Sequence, residues 1–174
     1  MNAVNASPAA PNPPDAPDAT LAPRVRLLPM TLAQLPAVLA IEQASHGHPW
    51  THGDFLDALR TGWHAQCLLG GDQLLGYFVA MPGVDEAHLL NITVSPAYRG
   101  QGWARVMLDA LTLWARAARA DWLWLEVRMS NTRALRIYEQ TGFRRVSVRK
   151  DYYPAADARA SGAREDAVVM SLKL

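Results

Sequence analysis

The stretch 86-EAHLLNITVSPAYRGQGWARVMLDAL-111 decides the fold. Glu86 to Val94 reads as a strand, and Ser95-Pro96 as a tight turn. A helical period then sets in near Gly102. Ala104, Met107, Leu108, Leu111, Ala115 and Ala118 form an apolar face, and Arg105, Asp109, Thr112, Arg116 and Arg119 the opposite one. DWLWLEVR (121–128) returns to strand. Two strands joined through a helix run parallel with a right-handed crossover. Ligands of such sheets bind outside the carboxyl ends of the parallel strands. The loop after Val94 and the residue Glu126 both fall at that end.

Working outward, VRLLPM (25–30) reads as a short strand. Pro36 suits the first turn of a helix running to about Ser45. Thr51 with Asp54 marks the start of a second helix, which ends near Gly62. AQCLLG (65–70) and QLLGYFVAM (73–81) form a hairpin across Gly71-Asp72. Downstream, a helix spans 131–140, capped by Ser130 or Asn131 and stopped by Gly142. FRRVSVRK (143–150) and DAVVMSLKL (166–174) are strands with a loop between them. The expected fold is α/β: a single mixed sheet, mostly antiparallel, with a central parallel strand pair. Residues 1–23 hold six of the chain's prolines, seven alanines and no aromatic residue. Such a segment buries too little surface to offset its ordering entropy. It is expected to be a disordered Pro/Ala-rich tail, with the folded domain at 24–174.

The 174 residues are 50% hydrophobic and 19% charged, the composition of one soluble globular domain. A net charge of +1 gives no global pull toward nucleic acid or membrane. The lone cysteine, Cys67, excludes an internal disulfide and reads as a buried small residue. His46-Gly47-His48 lacks a third ligand cluster, so no metal is expected. The chain is read as a cytoplasmic monomer.

The loop leaves backbone N–H groups unpaired at a helix N-terminus, where the macrodipole favours negative charge. Gly100 and Gly102 allow close approach, and Arg99 and Arg105 add charge. A phosphate group is the natural guest, although the loop alone also reads as a plain chain reversal. The GxxxxGK[ST] pattern is absent. GxGxxG nearly fits, but Arg105 stands where the third glycine allows helix–strand packing.

Arg99-Gly100-Gln101-Gly102-Trp103-Ala104 resembles the Gln/Arg-x-x-Gly-x-Gly/Ala motif of the GCN5-related N-acetyltransferases. HPWT (48–51), DEAHLLNITVSPAYRGQG (85–102), LWLEVRMSNTRALRIYEQTGF (123–143), DYYP (151–154) and REDAVVM (164–170) extend the resemblance to the ribosomal-protein-alanine N-acetyltransferase subfamily. It covers nearly all of 24–174. The resemblance implies the GCN5-related N-acetyltransferase fold and acetyl transfer from acetyl-CoA to a protein N-terminal α-amine. The implied acceptor is the N-terminal alanine of the eighteenth small-subunit ribosomal protein. Acetylation of lysine side chains or small amines, and a non-catalytic CoA-binding module, are the other readings.

Amide formation needs a proton acceptor, because an α-amine with pKa near ~8 is largely protonated at neutral pH. It also needs a donor for the oxyanion and a proton for the leaving thiolate. Glu126 shares a strand face with Trp122, Trp124 and Arg128, so partial desolvation is expected to raise its pKa. It reads as a base, or as half of a structural pair with Arg128 or another arginine. Tyr138 lies two helical turns after Asn131 and reads as a proton donor or a core tyrosine. By resemblance, Glu126 is the proton acceptor, directly or through water, and Tyr138 is the general acid. Asn131 contacts CoA, and Ile92, Thr93 and Val94 pair with the pantetheine arm. Arg99 to Arg105, through Gly100, Gln101, Gly102, Trp103 and Ala104, cradle the pyrophosphate. The Val94 N–H is the oxyanion donor. Trp50, Tyr152 and Tyr153 line the acceptor groove, or are loop aromatics in ordinary packing. Two departures stand out: Trp103 is bulky for the motif, and the loop 156–166 is long.

Overall fold

A computed structural model of the protein describes residues 25–154 and 162–174. The tail 1–23 and most of the loop 156–166 lie outside the described residues. The elements are β1 (Val25–Pro29), α1 (Leu35–Ser45), α2 (His52–Arg60), β2 (His64–Gly70), β3 (Gln73–Pro82), β4 (Glu86–Val94), α3 (Trp103–Ala117), β5 (Trp122–Arg128), α4 (Thr132–Gln140), β6 (Arg144–Pro154) and β7 (Arg164–Lys173). The strands form one sheet in the order β1-β2-β3-β4-β5-β7-β6. Every neighbouring pair is antiparallel except β4 and β5, which are parallel as expected.

Local chemistry sets the helix ends. Thr51 and Asp54 form a reciprocal capping box at α2, with Asp54 N–H donating to Thr51 Oγ1 at 3.3 Å and Thr51 N–H to Asp54 Oδ2 at 2.6 Å. α3 buries Met107, Leu108, Leu111 and Ala115. With Leu135 and Tyr138 of α4 they cover Phe78, Leu89, Leu123 and Leu125 on one sheet face. Ala118, expected on the buried stripe, is exposed, because the helix ends at Ala117 and Arg119 turns into a left-handed conformation. On the other face Leu35, Val38, Phe55 and Ala58 of α1 and α2 pack on Cys67, Tyr77 and Val79. Burial pushes the Cys67 thiol up to about 12, consistent with an inert core residue.

Two irregularities shape the site. Leu89 opposes Ala80 while Asn91 opposes Val79, so Leu90 is an extra residue in β4. Parallel pairing of β4 with β5 then stops at Leu89 and Leu125, although both strands continue. Leu90 to Val94 therefore present a backbone edge that β5 does not pair. The second irregularity corrects an expectation: DYYP (151–154) is not a loop but the end of β6. Asp151, at φ 52°, absorbs a register shift that lets Tyr153 pair with Glu165.

Candidate active site

A cleft of about 760 Å³ opens where β4 and β5 part. Its walls bring together Ile92, Thr93, Val94, Arg99, Gly100, Gly102, Trp103, Ala104, Arg105, Asn131 and Tyr138. Gly100 and Gly102 sit at φ 83° and 85°, and a methyl group on either would point into open space. Glycine is thus chosen here for backbone shape, and the room beside it is available to a ligand. Arg99 ties the loop to α1, donating from Nη2 to Ser45 Oγ at 2.9 Å and from Nε to the Val94 carbonyl at 3.4 Å. Arg105 is exposed and stands 3.9 Å from Asp109. Gln101 does not line the cleft; its Oε1 accepts from Trp103 Nε1 at 3.1 Å. Asn131 caps α4 by accepting from Ala134 N–H at 3.1 Å.

Tyr138 is buried against Phe143 and reaches the cleft wall. Burial first, and then the neighbouring Tyr153 phenol, raise its pKa, so the hydroxyl keeps its proton at neutral pH. Glu126 lies outside the cleft lining. Its alternating burial matches the expected face, but its partner is not Arg128. Glu126 Oε1 meets Arg149 Nη1 at 3.0 Å, while Arg128 holds Glu165 at 3.2 Å and the Pro154 carbonyl at 2.7 Å. The reason is the extended β6, which carries Arg149 over β7 toward β5. Tyr153 crosses the same way and donates to the Glu126 carbonyl at 3.1 Å. Burial, then Tyr152 and Glu126, push its phenol up to about 12. Arg149 lies over the Tyr152 ring at 5.4 Å. Tyr152 and Tyr153 thus gather at Glu126 rather than in the cleft. Trp50 tilts against Phe55 at 5.2 Å and packs on the α1/α2 core.

Several site residues had no sequence reading. Arg133 and Arg136 of α4 line the cleft and add to its positive charge; their spacing of three on a helix was the available signal. Ser45 at the end of α1 lines it as well, and so does His46, which the sequence offered only as part of a rejected metal site. Behind them lies Glu42, only 1% exposed. Its carboxylate accepts from the Tyr77 hydroxyl, from Trp50 N–H at 2.8 Å and from Asn91 Nδ2 at 3.2 Å. Among the described residues, no three His, Cys, Asp or Glu side chains cluster to hold a metal.

A sheet that opens beside a glycine-rich loop at a helix N-terminus fits the class of acyl-group transferases. The chain belongs to the Acetyltransferase (GNAT) family, whose model matches residues 35–143. The [ribosomal protein bS18]-alanine N-acetyltransferase of Haemophilus ducreyi is 39% identical over 134 residues, covering 77% of this chain and 90% of that one. The crystal structure of the ribosomal-protein-S18-alanine N-acetyltransferase from Escherichia coli superimposes with a TM-score of 0.78 at 32% identity, covering 86% and 94% of the two chains. Arabidopsis thaliana NAA60, solved in complex with acetyl-CoA, shares the fold at a TM-score of 0.74 and 14% identity, over 87% of this chain and 100% of that one.

Proposed function

We propose that this enzyme transfers the acetyl group of acetyl-CoA to the N-terminal α-amine of a protein, the alanine terminus of ribosomal protein S18. The observation that carries the reading is the parting of β4 and β5 beyond Leu89 and Leu125, with the Gly100–Gly102 cradle at its end. The unpaired edge at Ile92–Val94 offers N–H and C=O groups to an extended amide-bearing arm. Arg99, Arg105 and the α3 N-terminus suit a pyrophosphate. The S18 assignment rests on the relatives that carry that name.

The amine arrives as an ammonium and must lose two protons in becoming an amide. One ends on the departing sulfur. Tyr138 keeps its hydroxyl proton and lines the cleft, which suits it to donate to that sulfur as the C–S bond breaks. Glu126 accepts a proton through water, since Oε1 is held by Arg149. The Val94 N–H faces the developing oxyanion. Trp50, Tyr152 and Tyr153 border the acceptor's path.

The test is thiol release with an alanyl peptide bearing a free or a blocked N-terminus. Glu126→Gln and Tyr138→Phe are each expected to lower turnover about 10²-fold while acetyl-CoA still binds by calorimetry. Equal rates with the blocked peptide carrying a lysine would move the reading to side-chain acetylation. Acetyl-CoA binding with no thiol release from any acceptor would make the chain a binding module.

A further inference from the structure

The buried group behind the cleft fixes a hydrogen-bond direction. Glu42 receives donors from Tyr77, Trp50 and Asn91, so the Asn91 amide presents its NH₂ side to the carboxylate. Asn91 Oδ1 is then an acceptor, and it takes the Thr93 hydroxyl hydrogen at 3.1 Å. With that hydrogen spent, Thr93 Oγ1 accepts from His46 Nε2 at 2.8 Å. The same Nε2 stands 3.4 Å from Glu42 Oε2. His46 therefore carries a hydrogen on Nε2, and in the neutral ring the lone pair is on Nδ1. The ring lines the cleft and its side chain is 40% exposed.

We propose that His46 is a catalytic base, with Nδ1 taking the first proton from the acceptor's α-ammonium group. This rests on the acetyltransferase reading above. In the step, an ammonium N–H bond breaks and its electron pair stays on nitrogen. An Nδ1–H bond forms, and the imidazole becomes an imidazolium whose charge Glu42 balances. The free amine then attacks the thioester carbonyl. The imidazolium returns its proton to solvent through its exposed edge. The second proton, lost from nitrogen after attack, passes to Glu126 through water and from there replaces the one that Tyr138 gives to the sulfur. Titratable and charged groups around His46 are Glu42 on its own helix, Tyr77 on β3, and Arg99, which reaches Ser45 from the β4–α3 loop.

The experiment uses the full chain, acetyl-CoA and an alanyl peptide, with kcat/KM followed by thiol release from pH 6 to 9. His46→Gln keeps a donor for Thr93 but cannot take a proton. Its kcat/KM at pH 7 is expected to fall about 10²-fold. Its acid limb is expected to move up to the ionisation of the acceptor's own amine, near ~8. Acetyl-CoA affinity should hold. In parallel, long-range ¹H–¹⁵N spectra of the wild-type protein should give the Nε2–H tautomer for neutral His46. A His46→Gln profile like wild type, or an Nδ1–H tautomer in the wild type, overturns the proposal. If the wild type acetylates no free N-terminus, the functional reading fails instead. The spectra then still decide the tautomer on which His46 depends.

Discussion

At the scale of single residues, Gly76 shows how tightly the Ile92–Val94 segment of β4 is backed. A methyl group there would meet the Thr93 carbonyl at 2.6 Å, Met107 Cε at 3.1 Å and Val94 Cα at 3.2 Å. Two of those atoms are backbone of the segment expected to hold the pantetheine arm. Gly76→Ala should therefore cost about 1–3 kcal/mol in urea unfolding and raise KM for acetyl-CoA by displacing that segment. Gly53, inside α2, is the contrast. Its added methyl would touch only Thr51 Oγ1, at 3.5 Å, so Gly53→Ala should stabilise by about 0.5–1 kcal/mol. The same scale separates what single residues disclose in sequence. Gly100 and Gly102 declared themselves, because a positive φ is a local demand that glycine meets best. Glu42 did not: its partners Tyr77 and Asn91 lie 35 and 49 residues away, and only folding brings them together.

At the scale of elements, β2 and α3 meet through a ring stack with a pH consequence. His64 lies on Trp114 with centroids 4.2 Å apart and planes 1° apart. Burial lowers the His64 pKa, so the folded state favours the neutral ring. The unfolded chain binds the proton more readily, near ~6.5. Stability from this site is therefore present above that value and is lost as pH falls toward the folded pKa. Urea unfolding of wild type at pH 7.5 and 5 should show a drop that is smaller in His64→Phe, which keeps the stack without the titration. Equal drops would mean that other groups carry the acid sensitivity. Elements were also where periodicity spoke most clearly. The α3 stripe and the alternation of β5 follow from one-dimensional pattern. The bulge at Leu90 left its trace only in the adjacent pair Leu89-Leu90, where the polar–apolar rhythm of β4 changes phase, while the alternation of burial runs through it. The length of β6 was hidden for a related reason: Asp151 adopts a conformation that reads as a turn, while pairing resumes beyond it.

Over the whole molecule, the proposed function depends on two strands that start paired and then separate. Local sequence predicted their parallel course but not the opening, which needs the β4 bulge, α1 and the α3 loop at once. Arg99 bridging Val94 and Ser45 is one such tie, and the Glu42 cluster joining α1, β3 and β4 is another. Both lie within the described residues from 25 onward, and every buried hydrophobic residue of both core clusters lies at Met30 or later. The family model likewise begins at residue 35. The composition of residues 1–23 offers little to bury. A chain starting at Arg24 should therefore keep kcat/KM for the alanyl peptide within about twofold. Its thermal midpoint should stay within roughly 2 °C of the full chain, since surface changes away from packing features stay within about 0.5 kcal/mol. A larger loss of kcat/KM at unchanged midpoint would give the tail a part in acceptor binding, and a fall in midpoint alone would give it a part in the fold.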